Sequence, residues 1–162
     1  MEMNQDIRIV ETDLTEEVLD KLIRMSEDWE KENSCHGYRK NEKSDIEGNR
    51  IFLAYCGDTI VGYLFGYAEK SQKATSIMPD GTSCFEIEEI YVCPEYRSRG
   101  IGSRLFDYVE NTVRGEVDYL MLSTATKNWK AILHFYLDEL DMNFWSARLF
   151  KRISGEEKKT ND

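Results

Sequence analysis

The 162-residue sequence lacks several features that define large classes of proteins. No stretch approaches the roughly 20 consecutive apolar residues that a membrane-spanning helix needs. The first six residues are acidic and polar, unlike the start of a secretory signal peptide. We therefore expect a cytoplasmic protein that has no membrane as a partner.

Cysteine and histidine are also scarce, with four and two residues. The cysteines Cys35, Cys56, Cys84 and Cys93 form no C-x-x-C pair and lie at no zinc-binding distance from a histidine. Two of them fall in apolar, strand-like runs, where a reduced cysteine behaves as a small hydrophobe. We predict no metal site, and we expect reduced thiols, as in a reducing compartment.

Basic residues are fewer than acidic ones. The sequence has 21 lysines and arginines against 31 aspartates and glutamates, which gives a net charge of −10. Binding to a phosphate backbone requires a basic surface, so nucleic acid is not an expected partner. An acidic protein can instead attract a cationic substrate through its overall field. Acidity of this size also occurs in proteins that use charge only for solubility.

The chain shows no internal repeat, low-complexity block or proline-rich linker, and its length suits one domain. We predict a domain over residues 1–154 and a charged tail over residues 155–162. Strand-like and helix-like patterns alternate, which indicates the α/β class. The predicted strands cover residues 7–10, 51–56, 59–67, 85–92, 119–123 and 144–153.

The most informative stretch joins the predicted strand ending at Val92 to a helix that opens on Gly100 and Gly102. The first turn of a helix has N–H groups without partners and a positive dipole end, so it attracts phosphate oxygens. Glycine lets the backbone approach the anion closely. Arg97 and Arg99 add positive charge at the same place. A G-x-G alone is more often a plain surface turn, but the strand–loop–helix context favours phosphate binding.

Other phosphate-binding motifs fit the sequence less well. It contains no G-x-x-x-x-G-K-[ST], which disfavours a P-loop nucleotide enzyme. It also has no G-x-G-x-x-G after the first strand, which disfavours a dinucleotide-binding fold.

The run Arg97-Ser98-Arg99-Gly100-Ile101-Gly102 resembles the R/Q-x-x-G-x-G/A signature of GNAT acetyltransferases, and the strand before it ends in that family's Val-x-Pro. The order of elements over residues 7–153 is similar as well. The resemblance implies a mixed central sheet of about six to seven strands flanked by helices. Two of these strands would splay apart to form a cleft for acetyl-coenzyme A, with no metal involved.

The resemblance also assigns the residues that would bind acetyl-coenzyme A. Along the pantetheine arm these are Ile90, Tyr91, Val92 and, through its side chain, Asn128. Around the pyrophosphate they are Arg97, Ser98, Arg99, Gly100, Ile101, Gly102 and Ser103.

Three carboxylates, Glu86, Glu88 and Glu89, lie in the strand before this turn. Side chains alternate faces along a strand, so Glu86 and Glu88 should share one face and Glu89 should point to the other, unless a bulge intervenes. Buried carboxylates without partners are costly, and no lysine or arginine occurs between residues 74 and 96. Exposure at a sheet edge would explain them, and so would a cationic substrate.

An alkyl amine is mostly protonated at neutral pH and must lose a proton before it attacks a thioester, so a nearby carboxylate can serve as general base. The resemblance places that base at Glu88 or Glu86. The Ile-Glu-Glu pattern before the signature is similar to polyamine acetyltransferases, which favours Glu88 first and Glu86 second.

The leaving thiolate needs a proton, which in the family a tyrosine supplies from N-x-x-A-x-x-F/L-Y. Asn128 and Ala131 match the first half of this pattern, but Phe135 stands where the tyrosine is expected and Tyr136 comes one residue later. One residue rotates a helical side chain by about 100°. Either a helix irregularity presents Tyr136 as the general acid, or the protein acts without it.

The resemblance therefore implies direct transfer of an acetyl group from acetyl-coenzyme A to a small cationic amine, such as a polyamine or an aminoglycoside. A peptide N-terminus or a lysine is the alternative acceptor. A binding module that retained the phosphate turn and lost catalysis is a further alternative. Family members are often homodimers, so a homodimer is an open expectation.

Overall fold

The computed structural model describes residues 6–155, which form one mixed sheet with helices on both faces. The strands are β1 (Ile7–Thr12), β2 (Arg50–Cys56), β3 (Thr59–Lys70), β4 (Ser83–Val92) and β5 (Tyr119–Leu122). The α-helices are α1 (Glu16–Glu32), α2 (Lys43–Ile46), α3 (Ile101–Val113) and α4 (Trp129–Leu133). A 3₁₀ turn covers Pro94–Tyr96, and α4 continues as a π-helical turn over His134–Glu139.

The strands follow chain order across the sheet, β1-β2-β3-β4-β5. The first four pair antiparallel through short connections, whereas β5 lies parallel to β4 because α3 carries the chain back across the sheet. This arrangement confirms the α/β class and the mixed sheet.

Each face of the sheet has its own core, because β2 and β3 carry apolar side chains on both faces. On one face, Leu105 and Val109 of α3 pack against Phe52 and Phe85. On the other, Leu22 of α1 packs against the face that carries Tyr63 and Phe65. The sheet is thus held rigidly on both sides, which positions β4 between the two helical layers.

The expected number of strands is wrong. Five strands occur within residues 6–155, and the residues of the strand predicted over 144–153 have no regular secondary structure and no ladder partner. The apolar residues of this stretch have the pattern that is typical of a strand. A strand also requires a neighbouring backbone to pair with, and these residues have none in the described part of the chain. Residue 155 of the predicted tail is described, and residues 156–162 lie outside the described part of the chain.

The loop between β3 and β4 is well packed. Ala74 and Met78 are buried against Cys84, and Ser71 Oγ donates to the Pro79 carbonyl at 2.9 Å. This loop covers the end of the sheet at which Glu86 lies. None of the helices in the described residues has both the length and the apolar character that a membrane span requires.

Candidate functional site

A cleft opens where β4 and β5 separate. The two strands pair only from Cys84–Tyr119 to Ile87–Leu122. β4 then continues for residues 88–92 without a strand on its β5 side. Backbone groups on that side of β4 are available to a ligand that lies along the strand. The splayed strands expected from the sequence are therefore present, and Ile90, Tyr91 and Val92 line the opening.

The turn after β4 has the geometry of an anion site. Ser98 and Gly100 adopt left-handed conformations, with φ of 62° and 76°. Gly100 is the N-cap of α3, no side chain caps this helix end, and no acidic residue lies in its first turn. The first N–H groups of α3, those of Ile101, Gly102 and Ser103, therefore have no intrahelical partner and remain available to an anion.

The two arginines of the turn differ in their surroundings. The Arg97 guanidinium donates to both oxygens of Glu32 at the end of α1, at 2.5 and 3.0 Å, and its Nε donates to the Val92 carbonyl at 2.9 Å. Arg97 thus ties the turn to α1, and its guanidinium group is engaged by Glu32 and the Val92 carbonyl. Arg99 is exposed and lies over the Tyr96 ring, with its guanidinium carbon 5.3 Å from the ring centroid.

The remaining residues assigned to the ligand occupy different positions around the turn. The Ile101 side chain is buried in the core beneath α3, at 2% exposure, so only its backbone can reach a ligand. Asn128 is the exposed N-cap of α4, and its side chain makes no capping hydrogen bond. The side-chain amide of Asn128 therefore does not cap α4.

A bulge in β4 changes which glutamates share a face. Phe65 pairs with Glu89 and Gly66 with Ile87, so Glu88 has no register partner on β3. The simple alternation, which was expected only without a bulge, therefore does not hold beyond Ile87, and Glu89 lies on the same face as Glu86. Glu86 and Glu89 point to the face that carries α1, and Glu88 extends from the bulge between them.

Glu86 lies in a pocket of about 160 Å³ at this face, near the point where β4 and β5 separate. The pocket is also lined by Glu69, Met121 and Trp145. Burial first, and then the negative charges of Glu69 and Glu88, raise the pKa of Glu86 to about 7. This carboxyl group can therefore gain and lose a proton near neutral pH.

Glu88 is exposed and lies beside Tyr67. The pKa of the Tyr67 phenol is raised, by desolvation first and then by the charges of Glu69, Glu88 and Glu86. Glu69, Glu86 and Glu88 thus form an acidic cluster beside Tyr67. Neither the strand nor the preceding loop supplies a lysine or arginine between residues 74 and 96 to neutralise it.

The acetyltransferase (GNAT) family model matches residues 15–142 of the chain. The chain belongs to the GNAT acetyltransferase family. No significant match was found among curated proteins.

Solved structures share this GNAT fold at low sequence identity. A transcriptional regulator from Bacillus halodurans C-125 aligns with a TM-score of 0.67 and 20% identity, over 91% of this chain and 100% of that one. An aminoglycoside acetyltransferase from an uncultured soil metagenomic sample aligns with a TM-score of 0.64 and 17% identity, over 94% of this chain and 100% of that one. A ribosomal-protein-alanine N-acetyltransferase from Brucella melitensis biovar Abortus 2308 aligns with a TM-score of 0.61 and 14% identity, over 90% of this chain and 99% of that one. At these identities the likeness establishes the fold alone.

The displaced tyrosine of this GNAT chain coincides with a helix irregularity. After Leu133 the chain widens into a π-helical turn, in which the Leu140 N–H donates to the Phe135 carbonyl at 3.0 Å. A π turn accommodates one residue more than an α turn, so it alters the directions of the side chains that follow. The sequence could not locate this irregularity, although the one-residue displacement indicated that one was needed.

Phe135 and Tyr136 consequently have different neighbours. The Phe135 ring packs on the first turn of α3, where a Cβ added to Gly102 would lie 3.2 Å from its Cζ atom. Tyr136 is partly buried on the side of Cys35. Burial first, and the nearby Cys35 thiol second, raise the pKa of Tyr136 to about 12, so its phenol stays protonated at neutral pH.

The structure also shows a buried polar cluster that sequence reasoning did not assign. The Glu89 carboxylate accepts hydrogen bonds from Tyr63 Oη at 2.8 Å, Asn41 Nδ2 at 2.9 Å and Tyr38 Oη at 3.3 Å. Burial raises the pKa of Glu89, while these donors act in the opposite direction. Asn41 in turn donates from its backbone to the buried Ser26 at 2.9 Å. The cluster therefore fixes the loop after α1 to β4, beside the acidic pocket.

Glu89 and its partners Asn41 and Tyr38 lie about 50 positions apart in the chain. No local sequence motif joins them. A glutamate in an apolar strand was the one available signal, because it required a partner. Within residues 6–155 no group of three or more histidine, cysteine, aspartate or glutamate side chains is placed to hold a metal ion.

Proposed function

We propose that this GNAT protein is an N-acetyltransferase that moves an acetyl group from acetyl-coenzyme A directly to a small cationic amine. The observation that carries the proposal is the acidic pocket around Glu86, which adjoins the opening between β4 and β5. An alkyl ammonium ion is attracted to such a pocket and can deliver its proton there.

Glu86 is the preferred general base in this proposal. A base works best when its pKa lies near the working pH, and the pKa of Glu86 is about 7. The resemblance to polyamine acetyltransferases favours Glu88, but that side chain is exposed and extends from the bulge. We assign Glu88 and Glu69 to holding the ammonium group and Glu86 to accepting its proton.

The residues around the cleft fit acetyl-coenzyme A, which supplies the thioester. The free N-terminus of α3, opened by Gly100, suits a pyrophosphate. The unpaired edge of β4 at Ile90 and Tyr91 suits the amides of pantetheine, and Asn128 lies at the start of the next helix. We assign Tyr136, which stays protonated, to donating a proton to the departing sulfur.

A protein N-terminus is the second candidate acceptor, since a structural neighbour is named a ribosomal-protein-alanine N-acetyltransferase. The compact pocket and its negative charge favour a small amine that carries more than one positive charge. We infer that the enzyme works in the cytoplasm, in keeping with four cysteines that form no disulfide.

The experiment is to mix the protein with acetyl-coenzyme A and follow free thiol release with polyamines, aminoglycosides, amino acids and short peptides. We expect release with polyamines or aminoglycosides, and loss of most of that release in Glu86→Gln. Release with peptides alone would identify the alternative acceptor. Binding of coenzyme A by calorimetry without turnover would indicate a binding module, and the absence of binding would refute the assignment of the cleft.

A further inference from the structure

Glu32, the last residue of α1, bonds to two residues beside the cleft. Its two carboxylate oxygens accept from the Arg97 guanidinium at 2.5 and 3.0 Å, and one of them also accepts from Tyr91 Oη at 3.1 Å. The Glu32 side chain is 23% exposed, so water and salt screen this pair less than a fully open surface pair. A bidentate contact of this kind fixes the direction as well as the distance between α1 and the turn after β4.

The Arg97 side chain folds back across this turn. Its Nε donates to the carbonyl of Val92, the last residue of β4, at 2.9 Å, and its guanidinium carbon lies 5.3 Å from the centroid of the Tyr91 ring. Within the described part of the chain, no other side chain of residues 93–100 makes a hydrogen bond. The side-chain hydrogen bonds from the turn to β4 and to α1 therefore all come from Arg97.

The turn needs such a link because part of its backbone is strained. Ser98 has φ of 62°, a left-handed conformation that costs free energy in a residue with a Cβ. Such a conformation persists where the surrounding structure holds it. Residues 98–100 lead directly into the N–H groups of Ile101, Gly102 and Ser103 that are available to an anion. The orientation of these donors therefore depends on how firmly the residues before them are held.

The end of α1 is a firm support for this contact. The helix packs into one of the two cores of the sheet, and the residues after Glu32 pair with the segment that leads into α4. The His36 N–H donates to the Ala125 carbonyl at 2.9 Å, and the Lys127 N–H donates to the Ser34 carbonyl at 2.8 Å. The backbone that carries Glu32 is thus fixed on both sides, so its carboxylate can set the position of the turn.

Charge and positioning predict opposite effects of Glu32 on an anion bound at the turn. As a charge, Glu32 repels phosphates and neutralises Arg97, so its removal should tighten binding. As a support, Glu32 preorganises the turn, so its removal should weaken binding. The second effect is favoured by the geometry, because three N–H groups of the Arg97 guanidinium are already engaged by Glu32 and Val92.

We propose that Glu32 is a positioning residue for coenzyme A: through the Arg97 guanidinium it holds residues 97–100 in the conformation that presents the N–H groups of α3 to the pyrophosphate. Arg97 thus serves the cofactor by holding the turn, which differs from the direct phosphate contact that the resemblance implies. Arg99 is the arginine of the turn that is left to meet the phosphates. The inference rests on the proposed binding of acetyl-coenzyme A in the cleft.

The first test is the affinity for coenzyme A, measured by calorimetry. In Glu32→Ala the affinity should fall about tenfold or more, and the loss should persist in about 0.5 M salt, which screens exposed charges. Asp28→Ala is the matched control, because Asp28 is an exposed carboxylate on α1 whose charge also acts on Cys93 at the start of the turn. The Arg97 guanidinium bonds to Glu32 and Val92 and not to Asp28, so Asp28→Ala should stay within about threefold of wild type.

The second test asks whether Glu32 acts through Arg97. Arg97→Met keeps a long side chain and removes the guanidinium. In this background Glu32→Ala should change the affinity by less than about threefold, because the link is already lost. A loss of about tenfold in both backgrounds would show that Glu32 acts by another route, such as the general stability of α1, and would overturn the proposal.

A third measurement needs no cofactor. Cleavage by trypsin after Arg99 reports how often the turn leaves its conformation, and it should be several-fold faster in Glu32→Ala than in wild type and in Asp28→Ala. Equal cleavage rates, or unchanged or tighter coenzyme A binding in Glu32→Ala, would overturn the inference and leave the proposed function intact. A wild-type protein that binds no coenzyme A would refute the proposed cofactor site, and the inference with it.

Discussion

Among single residues, Glu86 is the one whose charge state should control the chemistry. With a pKa of about 7, its carboxyl group changes its charge close to neutral pH. A general base must be deprotonated, so kcat/KM should rise as the pH rises through about 7 and then level off.

We expect Glu86→Gln to lower kcat by about 100-fold or more. It should also remove the acidic limb of the pH profile, which is the range in which kcat/KM rises with pH, as measured by initial rates from about pH 5.5 to 9. Glu88→Gln is the matched control: it should raise KM moderately and keep the acidic limb, which moves to a lower pH because one of the charges that raise the pKa of Glu86 is gone. If the limb persisted in Glu86→Gln, another group would be the base.

Glu89 should matter for stability, because three donors converge on its carboxylate. Glu89→Ala leaves the buried donors of Tyr63 and Asn41 without an acceptor, which should cost about 3 kcal/mol of the free energy of unfolding in urea. Glu89→Gln keeps an acceptor oxygen and should cost less.

The control for Glu89 is Glu95→Ala, since Glu95 is exposed in the 3₁₀ turn. This substitution should stay within about 0.5 kcal/mol of wild type. Equal stabilities for Glu89→Ala and Glu95→Ala would show that the buried cluster contributes nothing to the fold.

At the scale of elements, the N-terminus of α3 carries the predicted phosphate site, and Gly100 is its most sensitive position. The backbone there has φ of 76°, which few side chains tolerate apart from asparagine. Gly100→Glu adds a negative charge at the helix end and strains the turn, so affinity for coenzyme A should fall about 100-fold or more by calorimetry.

Gly100→Asn tests whether the backbone conformation or the side chain matters at this position. No heavy atom lies within 4 Å of a Cβ added to Gly100, and asparagine carries no charge. Affinity in Gly100→Asn should therefore stay within about tenfold of wild type. Unchanged binding in Gly100→Glu would show that the phosphates lie elsewhere.

The π-helical turn leads to a prediction about the general acid, Tyr136. Tyr136→Phe should lower kcat with little change in KM, because the phenol acts on the leaving group. Exchanging the two aromatic residues, Phe135→Tyr with Tyr136→Phe, should not restore activity, since the residue 135 ring packs on Gly102 and residue 136 lies towards Cys35. Recovery of kcat in the exchanged variant would show that residue 135 supplies the proton.

These elements also show what the sequence could and could not predict. The strand–turn–helix around Gly100 was predictable because each of its signals, a strand end and spaced glycines, is local. The bulge at Glu88 was not, because register depends on β3 as well as β4. The strand over residues 144–153 was predicted from its apolar pattern, but pairing needs a partner that the same pattern does not identify.

At the scale of the whole molecule, the net charge of −10 and the acidic pocket act on the same ligand. The overall field raises the local concentration of cations, and Glu69, Glu86 and Glu88 retain them at the site. Long-range attraction is screened as the Debye length falls from about 10 Å at 0.1 M salt to about 3 Å at 1 M. Contacts inside a partly buried pocket are screened much less.

This difference predicts how salt should affect catalysis. For an acceptor with two or more positive charges, kcat/KM should fall about tenfold between low and high salt, mainly through KM, while kcat changes little. An acceptor amine that is uncharged at the assay pH is the matched control and should show a nearly flat response. In Glu69→Gln the decrease for the cationic acceptor should be smaller, because one of the charges that attract it is gone. Equal salt dependence for the two acceptors would mean that the acidic surface serves solubility and does not select the substrate.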